Sequence, residues 1–193
     1  MPVVQIFDKE LAPSKIQALK FGLWIGMASI VMLFGAFTSA YLVRKPVGNW
    51  YEFKLPIQFF YSTLIIIGSS VLLEKAFKSF KSHDLKNYQL FMFVSFLAGI
   101  AFLATQVIAF KAMISQGLFI DLNVSVSFLY VLAGMHALHV IGGIIVMIIS
   151  LTTALAVRPL INEMNILKLD LLRQYWHFVG ALWIYLLIFL ILQ

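Results

Sequence analysis

The chain has 193 residues, of which 62% are hydrophobic and only 11% charged, with a mean hydropathy of +0.98; a soluble globular domain is nearer half apolar and a quarter charged. It contains no cysteine, which excludes disulfides, zinc–thiolate sites, iron–sulfur clusters and thiol nucleophiles. A net charge of +6 would point to nucleic acid in a soluble protein. Here it follows from the accumulation of lysine and arginine in the loops on one side of a membrane, so no nucleic-acid partner is expected.

Residues 1–20 carry Lys9, Lys15 and Lys20 among acids and prolines, with no apolar centre, so no cleavable signal peptide is expected. A helix needs about 20 apolar residues to cross the hydrocarbon layer, and five stretches qualify. Residues 21–43 are uncharged, bracketed by Lys20 and Arg44, and carry the small residues Gly22, Gly26 and Ser29. Residues 55–73 end at Glu74 and Lys75, and residues 90–110 lie between Lys86 and Lys111. The fourth span, 124–153, sits in an uncharged block from Leu122 to Val157 that is longer than one crossing requires, so the helix tilts or projects. A turn at Gly142-Gly143 would leave two halves too short to span. The fifth span is 174–193. The runs lack the period-two alternation of a membrane barrel, and their short connections imply antiparallel neighbours. The expected fold is an all-α membrane protein, one domain over residues 1–193 with five transmembrane helices.

The basic residues set the expected orientation. Ten lie in the N-terminal tail and the second and fourth loops, including Lys75, Lys78, Lys81 and Arg158, against four in the first and third loops. The positive-inside rule then places the N-terminus in the cytoplasm and the C-terminus outside. Tyr175-Trp176 falls at the inner boundary, where amphipathic rings are enriched. Lys75, Lys78, Lys81 and Arg158 are candidates for contacts with anionic lipid head groups, although positive-inside bias alone explains most of them.

No carboxylate lies within a span, so the chain lacks the relay that a stand-alone proton pump would need. Three histidines do lie in spans: His136, His139 and His177. His136 and His139 share a helix face, and imidazole is a common metal and haem ligand. Depth opposes a shared iron: His177 lies about 5–8 Å inside the boundary and His139 about 15–20 Å inside. No carboxylate or thiolate is near enough in sequence to complete a shell. The expected role of each ring is a hydrogen bond to a neighbouring helix, contributing about 0.6–2 kcal/mol. Gly134, Gly142 and Gly143 are small enough to form a close seam with another helix. The 18 phenylalanines and 8 methionines read as packing material.

Met135-His136-Ala137-Leu138-His139-Val140-Ile141-Gly142-Gly143, followed by Trp176-His177-Phe178-Val179 with Trp183, resembles subunit III of the haem–copper cytochrome c oxidases. Phe21-Gly22-Leu23-Trp24 through Ala40-Tyr41-Leu42-Val43, Leu55-Pro56 and Gln106 extend the likeness along the chain to the short five-helix bacterial form. Three acids common in the family are replaced, by Ile30, Ala109 and Gly180. The resemblance implies a non-catalytic subunit in a bacterial cytoplasmic membrane, packed beside oxidase subunits I and II. Haem and copper would belong to those partners and no cofactor to this chain. It also implies phospholipids held in a cleft between the first two helices and the rest, support of proton uptake and turnover stability, and room for a larger respiratory supercomplex. His136, His139, Gly142, Gly143, Trp176, His177, Phe178 and Trp183 are the expected packing residues. The alternatives are a related accessory protein of nitric oxide reductase and subunit III of a quinol oxidase.

Overall fold

Five apolar stretches form five long helices, the second beginning just after Pro56 of its stretch. The computed structural model describes residues 13–156 and 162–193. The helices are α1 (Pro13–Arg44), α2 (Gln58–Lys81), α3 (Leu85–Ser115), α4 (Val124–Ala156) and α5 (Glu163–Leu192), with a 3₁₀ turn at Lys45–Val47. All five are long and apolar enough to cross a membrane. Most outrun the apolar spans, because backbone hydrogen bonding continues through charged turns once packing supports it. At 1.5 Å per residue α3 and α4 reach about 45–50 Å, well beyond a core of about 30 Å.

Helices α2 to α5 close into a ring: α2 packs on α3, α3 on α4, α4 on α5 and α5 back on α2, with the α2–α3 pair the most extensive. A three-residue turn, Ser82 to Asp84, explains that pair. His83 takes a positive φ of 64° to reverse the chain, and Asp84 caps α3 by accepting from the Asn87 backbone N–H at 3.2 Å. Asn162 caps α5 in the same way through Asn165, at 2.9 Å. Such caps satisfy amides that the helix itself leaves free. Helix α1 lies outside the ring, packed chiefly against α4 and α5.

This arrangement corrects the expected cleft between the first two helices and the rest: α2 is a full member of the ring, and only α1 stands apart. The ends follow from the topology. The starts of α1, α3 and α5 and the ends of α2 and α4 gather at one end, which carries most of the basic residues. This is called the basic end below.

Candidate functional site

Besides His136 of α4, the polar groups buried among the ring helices form a ladder along α2. Ser69 and Ser95 each donate to the other's backbone carbonyl, at 2.9 Å both ways. The Trp176 indole N–H then donates to the Ser69 hydroxyl at 3.1 Å, so one small cluster joins α2, α3 and α5. Toward the far end, Gln106 donates to the Ser62 hydroxyl at 3.0 Å and Trp183 to the Thr63 hydroxyl at 3.0 Å. Ser62 and Thr63 in turn donate to the carbonyl of Phe59. Serine and threonine suit this position because they return their own proton to the helix and still accept from a neighbour.

At the basic end Arg173 binds two carboxylates. It meets Glu74 of α2 at 2.9 Å and Asp170 of its own helix at 2.7 Å, while its guanidinium lies over the Phe77 ring at 4.4 Å. His177 reaches Glu74 at 3.4 Å and Lys78 reaches it at 3.8 Å. Gln174 donates to the second oxygen of Asp170. The cluster clamps α2 to α5 at the depth where the apolar spans end. The sequence held a signal for it that the search for mid-span acids missed: Glu74 and Arg173 flank two spans on the same side, and Asp170 lies one turn before Arg173.

The three in-span histidines do not behave alike. His177 bonds a neighbouring helix, as described. His139 instead donates within its own helix α4, its Nδ1–H pointing to the Met135 carbonyl oxygen at 2.7 Å. His136 is 0% exposed, and neither of its ring nitrogens has a partner. It is enclosed by rings: Trp183 with centroids 5.1 Å apart, Phe102 at 5.8 Å and Phe34 of α1 at 6.5 Å. For His136 and His139 the expected bond to a neighbouring helix is therefore corrected. Aromatic neighbours fill the space around His136, and the helix's own carbonyl captures His139. Among the described residues no group of three or more His, Asp or Glu side chains converges to hold a metal ion.

The small residues also divide. A Cβ at Gly143 would stand 2.8 Å from two Trp176 ring carbons and 3.2 Å from Tyr175, so α4 and α5 approach closely there. Tyr175 adds a hydrogen bond to the His139 carbonyl at 2.9 Å. A Cβ at Gly142 would stand 3.8 Å from the Tyr175 hydroxyl, and one at Gly134, Gly22 or Gly26 would meet nothing within 4 Å. The seam thus centres on Gly143 and leaves Gly134 out. Trp176 does not lie in an interfacial belt; it is 0% exposed, inside the ring beside Gly99 and Gly143. Trp183 is buried, and Phe178 is half-buried on a groove shared with α1.

The lysines at the end of α2 are exposed. Lys75 lies over Phe91 and Lys81 over Phe77, while Lys78 pairs with Glu74. Arg158 lies outside the described residues. The three positions at which acids common in the family are replaced here are built into packing. Ala109 is buried in the main core, Ile30 packs beside Phe34 and Leu132, and a Cβ at Gly180 would meet the Ser70 hydroxyl at 3.3 Å.

No family profile matches the chain. Individual curated proteins do. The chain is 28% identical to a cytochrome c oxidase subunit 3 of Bacillus sp. (strain PS3), over 85% of this chain and 80% of the relative. It is 28% identical to a probable quinol oxidase subunit 3 of Staphylococcus haemolyticus, over 88% and 86% of the two chains. It is 26% identical to the cytochrome bo(3) ubiquinol oxidase subunit 3 of Buchnera aphidicola, over 97% and 93%. Over most of its length the chain is similar to proteins named as subunit 3 of cytochrome c oxidases and of quinol oxidases. Its polar interior reads as helix cement: every bond in the ladder joins two ring helices or returns to its own helix.

Proposed function

We propose that the chain is the non-catalytic third subunit of a haem–copper terminal oxidase in a bacterial cytoplasmic membrane. It would pack beside subunits I and II, keep phospholipids on that flank, and sustain proton uptake and turnover during aerobic respiration. One observation carries the reading: relatives named for cytochrome c oxidases and for quinol oxidases both match more than four-fifths of the chain. A role common to both is independent of the electron donor, which fits a chain whose conspicuous chemistry is helix packing. The second reading, subunit 3 of a quinol oxidase, is supported by the staphylococcal and Buchnera relatives. The N-terminus is proposed to be cytoplasmic, with the basic end facing inward.

Affinity purification of the tagged chain in mild detergent tests the reading. We expect co-purified haem and copper with the spectrum of a terminal oxidase. Haem B with non-haem iron would indicate a nitric oxide reductase instead, and recovery of the chain without any haem partner would contradict both.

A further inference from the structure

At the end opposite the basic end, the α3–α4 connection carries a turn, Phe119-Ile120-Asp121-Leu122, whose three apolar side chains are each about half exposed. Turns are ordinarily built from Gly, Pro, Asn, Asp and Ser, so three large apolar residues on one exposed turn need a cover. The turn is firmly held. Gly117, at a φ of 79°, lets the chain leave α3, and the Leu118 N–H returns to the Met113 carbonyl at 3.0 Å. The Leu118 side chain is buried in the main core, and its carbonyl accepts from the Tyr130 hydroxyl at 3.0 Å. The Leu122 N–H donates to the Phe119 carbonyl at 3.1 Å, and the Ser127 hydroxyl donates to the Ile120 carbonyl. Asn123 ties the same segment to the Asn49 carbonyl at 2.9 Å. The backbone is thus committed to the fold, and the turn offers its side chains outward.

Depth decides what covers them. Phe110 closes the apolar span of α3 before Lys111, and Ser115 at the helix end stands about 7 Å farther out at 1.5 Å per residue. The head-group layer is about 5–7 Å thick on each side of the hydrocarbon core. The turn therefore lies at head-group depth, where a side chain as long as phenylalanine reaches the acyl chains. Exposed apolar faces lead to it from both helices, through Val107 and Ile114 on α3 and through Val124, Val131 and Leu138 on α4. The apolar surface of the turn is thus continuous with membrane-crossing faces and does not project into water by itself. Helix α4 has no charge at its ends to fix its depth, since its uncharged block runs from Leu122 to Val157 and exceeds one crossing. Asp121, exposed on the turn, bounds that block with a carboxylate that favours water.

We infer that Phe119, Ile120 and Leu122 insert into the bilayer interface as a rigid anchor, with Asp121 facing water, and that this anchor sets the depth of α4. The partner is the lipid surface itself, not a bound lipid molecule or a protein. Such an anchor requires only that the five helices cross a membrane, and is independent of the oxidase reading.

The chain has no cysteine, so one introduced cysteine carries a single nitroxide label in the full chain, reconstituted into nanodiscs of phosphatidylethanolamine and phosphatidylglycerol. Labels at Phe119→Cys, Ile120→Cys and Leu122→Cys should relax several-fold more with molecular oxygen, which concentrates in lipid, than with a water-soluble nickel chelate. Asp121→Cys and Gln116→Cys are the controls and should show the reverse. Preference for the chelate at the three apolar positions would place the turn in water and overturn the proposal. A label at Leu138→Cys, near the middle of α4, reports the depth of that helix. With Phe119, Ile120 and Leu122 all changed to serine, it should move toward the surface that the turn occupies; an unchanged depth would remove the anchoring role. The single-label profile decides the insertion even where the triple variant fails to fold. In the affinity-purified complex a photo-crosslinker at position 120 should capture lipid, and capture of a partner polypeptide would overturn the proposal as well.

Discussion

Gly143 and Gly134 lie on one helix nine residues apart, yet only Gly143 has a neighbour where a Cβ would stand. In a close-packed interior, extra bulk costs about 1–3 kcal/mol, against a gain of up to about 1 kcal/mol when glycine is replaced by alanine in a helix. Gly143→Ala should therefore lower the thermal stability of the solubilised chain, while Gly134→Ala should leave it unchanged or raise it slightly. Equal behaviour of the two variants would show that the seam is not close-packed. His136 makes an opposite prediction. A buried polar group without partners has lost its hydration for no return, at a cost of about 1–3 kcal/mol, so His136→Leu should be neutral or stabilising by the same measurement. A loss as large as that of Gly143→Ala would mean that the imidazole has a hydrogen-bond partner. The histidines and glycines stood out in the sequence because they are unusual in apolar spans. Which of them touched a partner did not, since contact depends on the rotation of α4 about its axis, and uninterrupted apolar runs leave that rotation unspecified.

Each helix was legible as a run of apolar residues, but the order of the ring was not. Lipid-facing and core-facing positions are both apolar, so the amphipathic stripe that orients a helix in a soluble bundle is missing. Packing partners are set instead by sparse polar contacts such as Ser69–Ser95, and by close approaches such as Gly143–Trp176. The isolation of α1 was equally hidden, because its composition matches the others. Its hold on the ring comes from Phe34, which is 1% exposed beside Leu132, Leu182 and Leu186. Farther along, Tyr185 donates to Thr38 at 3.1 Å, and Tyr41 packs on Trp50, Phe128 and Phe189. Phe34→Ala removes the mid-helix anchor at a cost of about 3 kcal/mol and should loosen α1 while the four-helix ring persists. Spin-label distances between α1 and α5 should broaden, with those between α2 and α3 unchanged. An unaltered α1–α5 distribution would mean that the far-end aromatic contacts hold α1 unaided.

For the whole molecule, five helices give a broad flank and the interior polar groups are used mainly to hold the ring together. The family resemblance was readable from two histidine-containing strings and their order, and relatives over most of the chain bear it out. The clamp of Glu74, Asp170 and Arg173 was not foreseen, because its members are far apart in sequence and only the fold brings α2 and α5 together. No mid-span carboxylate offers a proton wire through this chain. Its contribution should then be to exclude water from the partner's flank and to keep lipids there. The direct test compares intact oxidase with oxidase stripped of this subunit, followed from the first turnovers to exhaustion at one pH and one lipid composition. The stripped enzyme should keep its haem spectrum and initial rate but lose activity sooner during turnover. Complete loss of the initial rate with the haems intact would contradict a supporting role and assign this chain a direct part in catalysis.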